Sequence, residues 1–286
     1  MLYYTKVSYE TRPKKATIYI GAQIMNSKKK KILLLFFLAA LWICAANVQA
    51  AGSRWVCTGG HYYYVTSKGR WLTGLQKINK RQYYFDSKAI QRTGWRKIGN
   101  NYYFFRMYGG KKGYMLKGKT VDGVKLQSDG RAVVTGRAAQ KLPVMVKAQT
   151  IVDSITTETM KKPVKRKICF DYICNNCADI PPGNLFSGNS NWDISYAQSL
   201  FSRWSGDCFS FSCATAYLFH ACGIQNVEIC STGLHCWIEL KKLFYDPHWT
   251  NYGGATVYAM PASLSGVGKR PPLAGTALYR RNLDKI

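Results

Sequence analysis

Apolar and polar positions along the chain fall into three successive patterns. The first is a block of four lysines, Lys28 to Lys31, followed by fifteen uncharged, mostly apolar residues at 32–46. The second runs from 55 to 131 and repeats. Tyr63, Tyr83 and Tyr103 lie twenty residues apart, as do Tyr64, Tyr84 and Phe104, and Val65, Phe85 and Phe105. Each unit holds two short aromatic or β-branched runs separated by turn residues, which predicts one β-hairpin per unit. A twenty-residue hairpin cannot bury its own apolar face, so the units must stack into a small β-solenoid. A shortened unit at 120–132 closes the array. The third pattern begins near residue 150. Residues 151–155 and 168–173 have helical apolar spacing, interrupted by Lys161-Lys162-Pro163, and a long helical run at 207–222 stops at Gly223. Strands are then expected at 227–229, 235–240 and 243–249. Helices first and strands after predict an α+β domain at 150–260. A linker at 132–149, containing Pro143, would lead into it, and a tail at 261–286 would follow.

The first pattern has a basic, then apolar, then small-residue order ending at Ala50. That is the order of a secretory signal peptide, and Met25 is its natural start. Fifteen apolar residues are too few for a comfortable membrane span. Residues 1–50 therefore read as a leader, with the membrane met only during export. Lys and Arg number 41 against 14 Asp and Glu, a net charge of +27. Most of the excess sits on the repeats: residues 51–146 hold nineteen basic and three acidic side chains, while 147–286 hold fourteen and ten. Export and the lack of any base-reading motif exclude nucleic acid as a partner. A cationic solenoid outside the cell would meet polyanions.

The repeat residues resemble the cell-wall-binding repeats of secreted Gram-positive proteins. The family pattern is Gly-Trp, an Ile, a Gly/Asn turn and Tyr-Tyr-Phe-Asp; Gly94-Trp95, Ile98-Gly99-Asn100 and Tyr102-Tyr103-Phe104 match it. The resemblance implies wall polymers, teichoic acid or glycan, as partners, with Tyr63, Trp71, Tyr84, Trp95 and Tyr103 as candidate ligand-binding aromatics. Choline-binding relatives use such aromatics as cages for quaternary ammonium groups. Here Leu75 stands where the first unit would have its Trp, and the third unit lacks one, which argues against choline specificity. The simpler role for these rings is the stacking core.

Candidate chemistry lies in the third pattern. Asp207 or Ser205 can cap a helix that carries Cys208 in its first turn, where free N–H groups and the positive dipole end favour a thiolate. The same N–H groups can line part of an oxyanion hole. If Lys241-Lys242 is a two-residue turn pairing Leu240 with Leu243, Asp246 falls opposite Trp237. It then lies diagonal to His235 on the same face. Asp246 would hold one imidazole nitrogen while the other faces Cys208. Gly206-Asp207-Cys208, His235-Cys236-Trp237 and Asp246-Pro247-His248-Trp249 resemble, in order and spacing, the transglutaminase-like superfamily of papain-related cysteine enzymes. The resemblance covers about 149–251 and implies Cys208 as nucleophile, His235 as general base and acid, and Asp246 as the orienting carboxylate. A peptide or protein amide would be the substrate. Trp192 and Trp204 are candidate oxyanion donors, with a core role favoured for each. His248 is a possible secondary polar contact.

Nine cysteines follow the leader, and eight remain after Cys208, an even number that an exported protein can pair. Cys169, Cys174 and Cys177 have metal-like spacing but no fourth ligand nearby, so neither metal nor cofactor is expected. The fold class expected is α+β: a papain-like transglutaminase-type domain preceded by a β-hairpin solenoid of cell-wall-binding repeats. The function expected is that of a secreted, wall-associated cysteine enzyme. Its rival is a non-catalytic wall or polysaccharide adhesin that retains the fold.

Overall fold

Three repeat units form antiparallel hairpins one period apart. They are β1 (Arg54–Thr58) with β2 (His61–Val65), and β3 (Gly74–Ile78) with β4 (Arg81–Phe85), the latter extended by β5 (Gln91–Arg92). The third is β6 (Gly94–Ile98) with β7 (Asn101–Phe105). A short fourth hairpin, β8 (Thr120–Val121) with β9 (Val124–Lys125), follows. The two-residue turns take positive φ, 57° and 79° at Gly59-Gly60 and 48° and 66° at Asn79-Lys80, which suits the twist of paired strands. Stacking is aromatic: Trp55 meets Tyr64 and Tyr83 edge-on, with centroids 5.3 and 4.9 Å away. The computed structural model describes residues 52–180, 189–268 and 277–285; the predicted leader lies outside them.

The remainder is helical, then stranded. Its elements are α1 (Arg137–Ile155), α2 (Lys162–Asn176), β10 (Ala178–Asp179), α3 (Trp192–Arg203), β11 (Ser205–Gly206) and α4 (Cys208–Ala221). Then come β12 (Glu228–Ser231), β13 (Cys236–Leu240), β14 (Leu243–Tyr245), α5 (Pro247–Tyr252), β15 (Met260–Pro261) and β16 (Tyr279–Asn282). The last strands form a five-stranded sheet in the order β15-β14-β13-β12-β16. Every residue of α4 after Cys208 is buried. Among the described residues no helix is long and apolar enough to cross a membrane.

Three expectations about boundaries change. The stretch 132–149 is no linker from Arg137 on: it is the first part of α1, with Leu142, Val144, Met145 and Ala148 buried. Pro143 removes one backbone donor there, but the burial of its neighbours outweighs that loss. The tail at 261–286 contains β16, which completes the sheet beside β12, and the fully buried Leu283. The strand expected at 243–249 stops at Tyr245, because Asp246 caps α5 and Pro247 occupies its first turn.

The repeats and the helical part are one packed body rather than modules on a tether. Trp95, Phe104, Val124 and Leu126 of the repeats share a buried cluster with α1, α2 and α4. Gly94 permits that approach: its φ is +78°, and a Cβ there would run into Gln149 of α1. Polar contacts follow the same seam. His220, near the end of α4, has Nε2 3.0 Å from Asp122 Oδ1 and Nδ1 3.1 Å from Asp284 Oδ1, the latter an ion-pair contact without hydrogen-bond alignment. Trp95 Nε1 donates to Asp122 Oδ2 at 2.7 Å, and Lys141 Nζ donates to the Asp122 and Leu283 carbonyls at 2.9 Å each. Burial works against a charged His220, but Asp122 and Asp284 outweigh it and carry its pKa up to about 9.

Candidate active site

The thiol is set by three local devices. Trp204 ends α3 in the left-handed region at φ 54°, and the chain re-emerges as β11, paired in parallel with β10 through Asp179 and Gly206. Gly206 is needed for close approach, since a Cβ would collide with Ser210 and Leu200. Asp207 then caps α4 by accepting from Ser210 N–H at 2.9 Å. Cys208 occupies the first position of that helix, where a backbone N–H has no acceptor within the helix.

The opposing groups come from the predicted hairpin. Lys241 and Lys242 form a two-residue turn with φ 53° and 64°, and Leu240 pairs with Leu243. One step past Ile238↔Tyr245 brings Asp246 beside Trp237, the parity that the pairing requires. Asp246 is fully buried; its Oδ2 lies 2.6 Å from His235 Nε2 and its Oδ1 accepts from Trp249 N–H at 2.8 Å. The imidazole lies between the rings of Trp237 (6.4 Å, stacked) and Trp249 (6.0 Å, edge-on). Cys208 is close enough to interact electrostatically with the same imidazole. The structure thus brings Cys208, His235 and Asp246 near one another.

The electrostatics depart from expectation in one respect. Burial pushes the Cys208 thiol up from its ordinary value, and the hydrogen bond and charge of His235 offset this only in part. The helix terminus was expected to depress that thiol; the apolar walls around it win instead. Burial also disfavours the His235 cation, yet Asp246 first and Cys208 second hold its pKa up to about 10. The thiolate–imidazolium pair is therefore most populated in alkaline solution. Iodoacetamide labelling of Cys208 should rise with pH along a curve whose midpoint lies above the ordinary thiol value of 9. The exposed Cys57 serves as the internal reference. A midpoint for Cys208 near neutrality would refute this.

Stability should carry the same signature. His220 and His235 hold their protons in the folded chain above the ordinary 6.5, so their contribution is complete below pH 6.5 and is lost as pH rises through about 9 and 10. Lys141, pushed down to about 8 by burial, acts the other way from pH 8 upward. Resistance to urea should therefore fall most steeply between pH 6.5 and 8, by about 2–4 kcal/mol. Urea titrations at those two pH values check this, and a flat profile would contradict it.

Other candidates fall elsewhere. Trp192 is buried edge-on against Phe209, and Trp204 lies edge-on to Tyr172. His248 binds Asp179 Oδ1 at 2.8 Å from within α5, so it shares no strand face with Asp246. Tyr196 was not foreseen. Its ring stacks on Phe209 at 5.1 Å, and burial, then Asp207, Cys213 and Cys208, push its hydroxyl up to about 12. Only its place on α3 puts it there, and no motif marks that position.

Of the repeat aromatics, Trp95 is 1% exposed and hydrogen-bonded to Asp122, so it is core and not a ligand contact. Tyr63 and the exposed Trp71 form an edge-on pair at 4.8 Å. Tyr84 lines a groove of about 750 Å³ between the repeats and α1. Tyr103 is partly exposed on β7.

Residues 72–111 match a family described as the choline-binding repeat. Among solved structures, CbpJ from Streptococcus pneumoniae TIGR4 is 28% identical over 28% of this chain and 26% of that one, with a TM-score of 0.25. Choline binding protein F from Streptococcus pneumoniae is 30% identical over 28% and 27%, with a TM-score of 0.25. The multimodular pneumococcal cell-wall endolysin from phage Cp-1, complexed with choline, is 23% identical over 29% and 25%, with a TM-score of 0.25. The chain spans about a quarter of the length of these three proteins. No curated protein matches it. These matches give no support to a transglutaminase-like second part. Within the hairpin array the match to the choline-binding repeat spans residues 72–111, and Leu75 lies inside it.

Proposed function

We propose that the chain is a secreted, cell-wall-associated, transglutaminase-like cysteine enzyme that acts on peptide or protein amide bonds through a thioester. One observation carries this reading. A buried carboxylate lies 2.6 Å from one imidazole nitrogen, and a thiol at the first position of a helix interacts with the same imidazole. The Cys208 thiolate attacks the amide carbonyl, and the developing oxyanion meets the N–H groups at the start of α4. The His235 imidazolium protonates the departing amine, leaving a thioester on Cys208. Water then completes hydrolysis, or a lysine amine completes a crosslink. Incubation of the full chain with a peptide library containing Gln and Lys, read by mass, tests this. Ammonia loss, a new crosslink or a cleaved backbone supports the reading, and an unaltered library opposes it.

The repeats hold the enzyme on the wall. Their basic surface attracts teichoic-acid phosphates, so retention on purified wall falls as salt rises. The Tyr63–Trp71 pair offers an aromatic face to a quaternary ammonium group such as choline. Trp71→Ala should weaken retention on choline-bearing wall about 3–10-fold, as measured by sedimentation with the wall. Unchanged retention would remove that pair from the site.

The confinement of the family match to residues 72–111 favours a second reading, a wall adhesin whose helical part is not catalytic. A Cys208→Ala chain that keeps every measurable activity and all wall binding would support it.

A further inference from the structure

Cys169 lies in the middle of α2, and Cys222 caps the C-terminal end of α4; their Sγ atoms are 3.5 Å apart. Cys169 is fully buried and Cys222 is 6% exposed. The contact with Cys222, then burial, hold the Cys169 thiol far above its ordinary value. The two neighbours that gave Cys169 its metal-like spacing do not join it. Cys174 Sγ turns to the Pro247 carbonyl at 3.4 Å, and Cys177 caps the far end of α2. No catalytic group of the candidate site touches the Cys169–Cys222 pair.

We propose that Cys169 and Cys222 are a disulfide-forming pair that ties α2 to the C-terminal end of the helix carrying Cys208. A disulfide needs a sulfur separation of about 2.05 Å. The remaining gap of about 1.5 Å is within reach of rotation about the two Cα–Cβ bonds. The oxidant is a small-molecule disulfide, and the reaction belongs to the extracellular setting in which wall-binding repeats work. One cysteine thiolate attacks a sulfur of that disulfide and releases one small thiol. The second cysteine thiolate then attacks the mixed disulfide at the first cysteine and releases the other. Two cysteines are oxidised, one small disulfide is reduced to two thiols, and the two cysteine protons leave on them. Because both thiols are buried, the bond forms during folding, before the core closes. It spans 53 positions of the chain, so it restricts the unfolded state substantially.

The test uses the full chain refolded with glutathione and glutathione disulfide. Remaining thiols are blocked with iodoacetamide in denaturant, and the chain is digested without reductant. The expected product is a peptide pair joining Cys169 to Cys222, lighter by two hydrogens than the summed thiol peptides. The oxidised chain should melt about 5–10 °C above the dithiothreitol-treated one. Alkylated Cys169 and Cys222 would overturn the proposal, as would either cysteine joined to another, such as Cys174 or Cys213.

Discussion

Asp246→Asn should lower amide turnover by roughly 10³–10⁴-fold while the chain remains folded. The carboxylate makes two separate contacts. Its Oδ1 caps α5 through Trp249 N–H, and its Oδ2 holds His235 Nε2 at 2.6 Å. An amide side chain can keep the cap, because its carbonyl oxygen accepts as the carboxylate did. It cannot keep the charge that holds His235 up to about 10. Burial then lowers the pH at which the imidazole loses its proton, and in alkaline solution the Cys208 thiolate loses its cationic partner. The pH dependence separates this from damage to the fold: in the variant, labelling of Cys208 at pH 9 should slow relative to Cys57, while the urea transition stays cooperative and loses the His235 share of its fall with pH. Asp246→Ala removes both contacts and should also cost about 3 kcal/mol of stability. Turnover within a factor of a few of the parent in Asp246→Asn would remove Asp246 from the mechanism.

Trp95→Ala should destabilise the whole described body, by about 3–5 kcal/mol. Trp95 belongs to a repeat unit, yet it is buried in the cluster that contains α1 and α4, and its indole N–H holds Asp122. Truncation leaves a cavity at that seam and removes a donor from the carboxylate that also faces His220. Guanidinium titration followed by tryptophan fluorescence and by exposure of the buried cysteines should give one shared transition, shifted in the variant. Two separate transitions, with only the repeat signal shifted, would show that the repeats fold independently. By the same argument, residues 147–286 alone should not fold, because the cut falls inside α1 and uncovers its buried face.

What was legible in the sequence follows its periodicities. The twenty-residue spacing of Tyr63, Tyr83 and Tyr103 predicted the hairpins. Gly223, at φ 76°, stops α4 where a glycine stop was expected. The Lys241-Lys242 turn mattered most, since a two-residue loop settles which face Asp246 occupies relative to His235. What stayed hidden depends on contacts distant in sequence. Pro143 suggested a break, but α1 continues through it against Trp95 and Phe104. The tail had no strong strand pattern, yet Tyr279–Asn282 pairs with β12. Local capping argued for a depressed thiol at Cys208, while the desolvation that reverses it comes from elements packed around the helix. Trp95 carried the family's Gly-Trp signature and looked like a ligand contact, but the surface it would have offered is covered by the rest of the chain.

The most direct measurement of the central claim is acid-quench mass spectrometry of the full chain during turnover of amide peptides at pH 9. The account predicts an acyl adduct mapping to Cys208, discharged by hydroxylamine as a thioester would be, and absent in Cys208→Ala. Product formation without an adduct on Cys208, or undiminished turnover in Cys208→Ala, would contradict it.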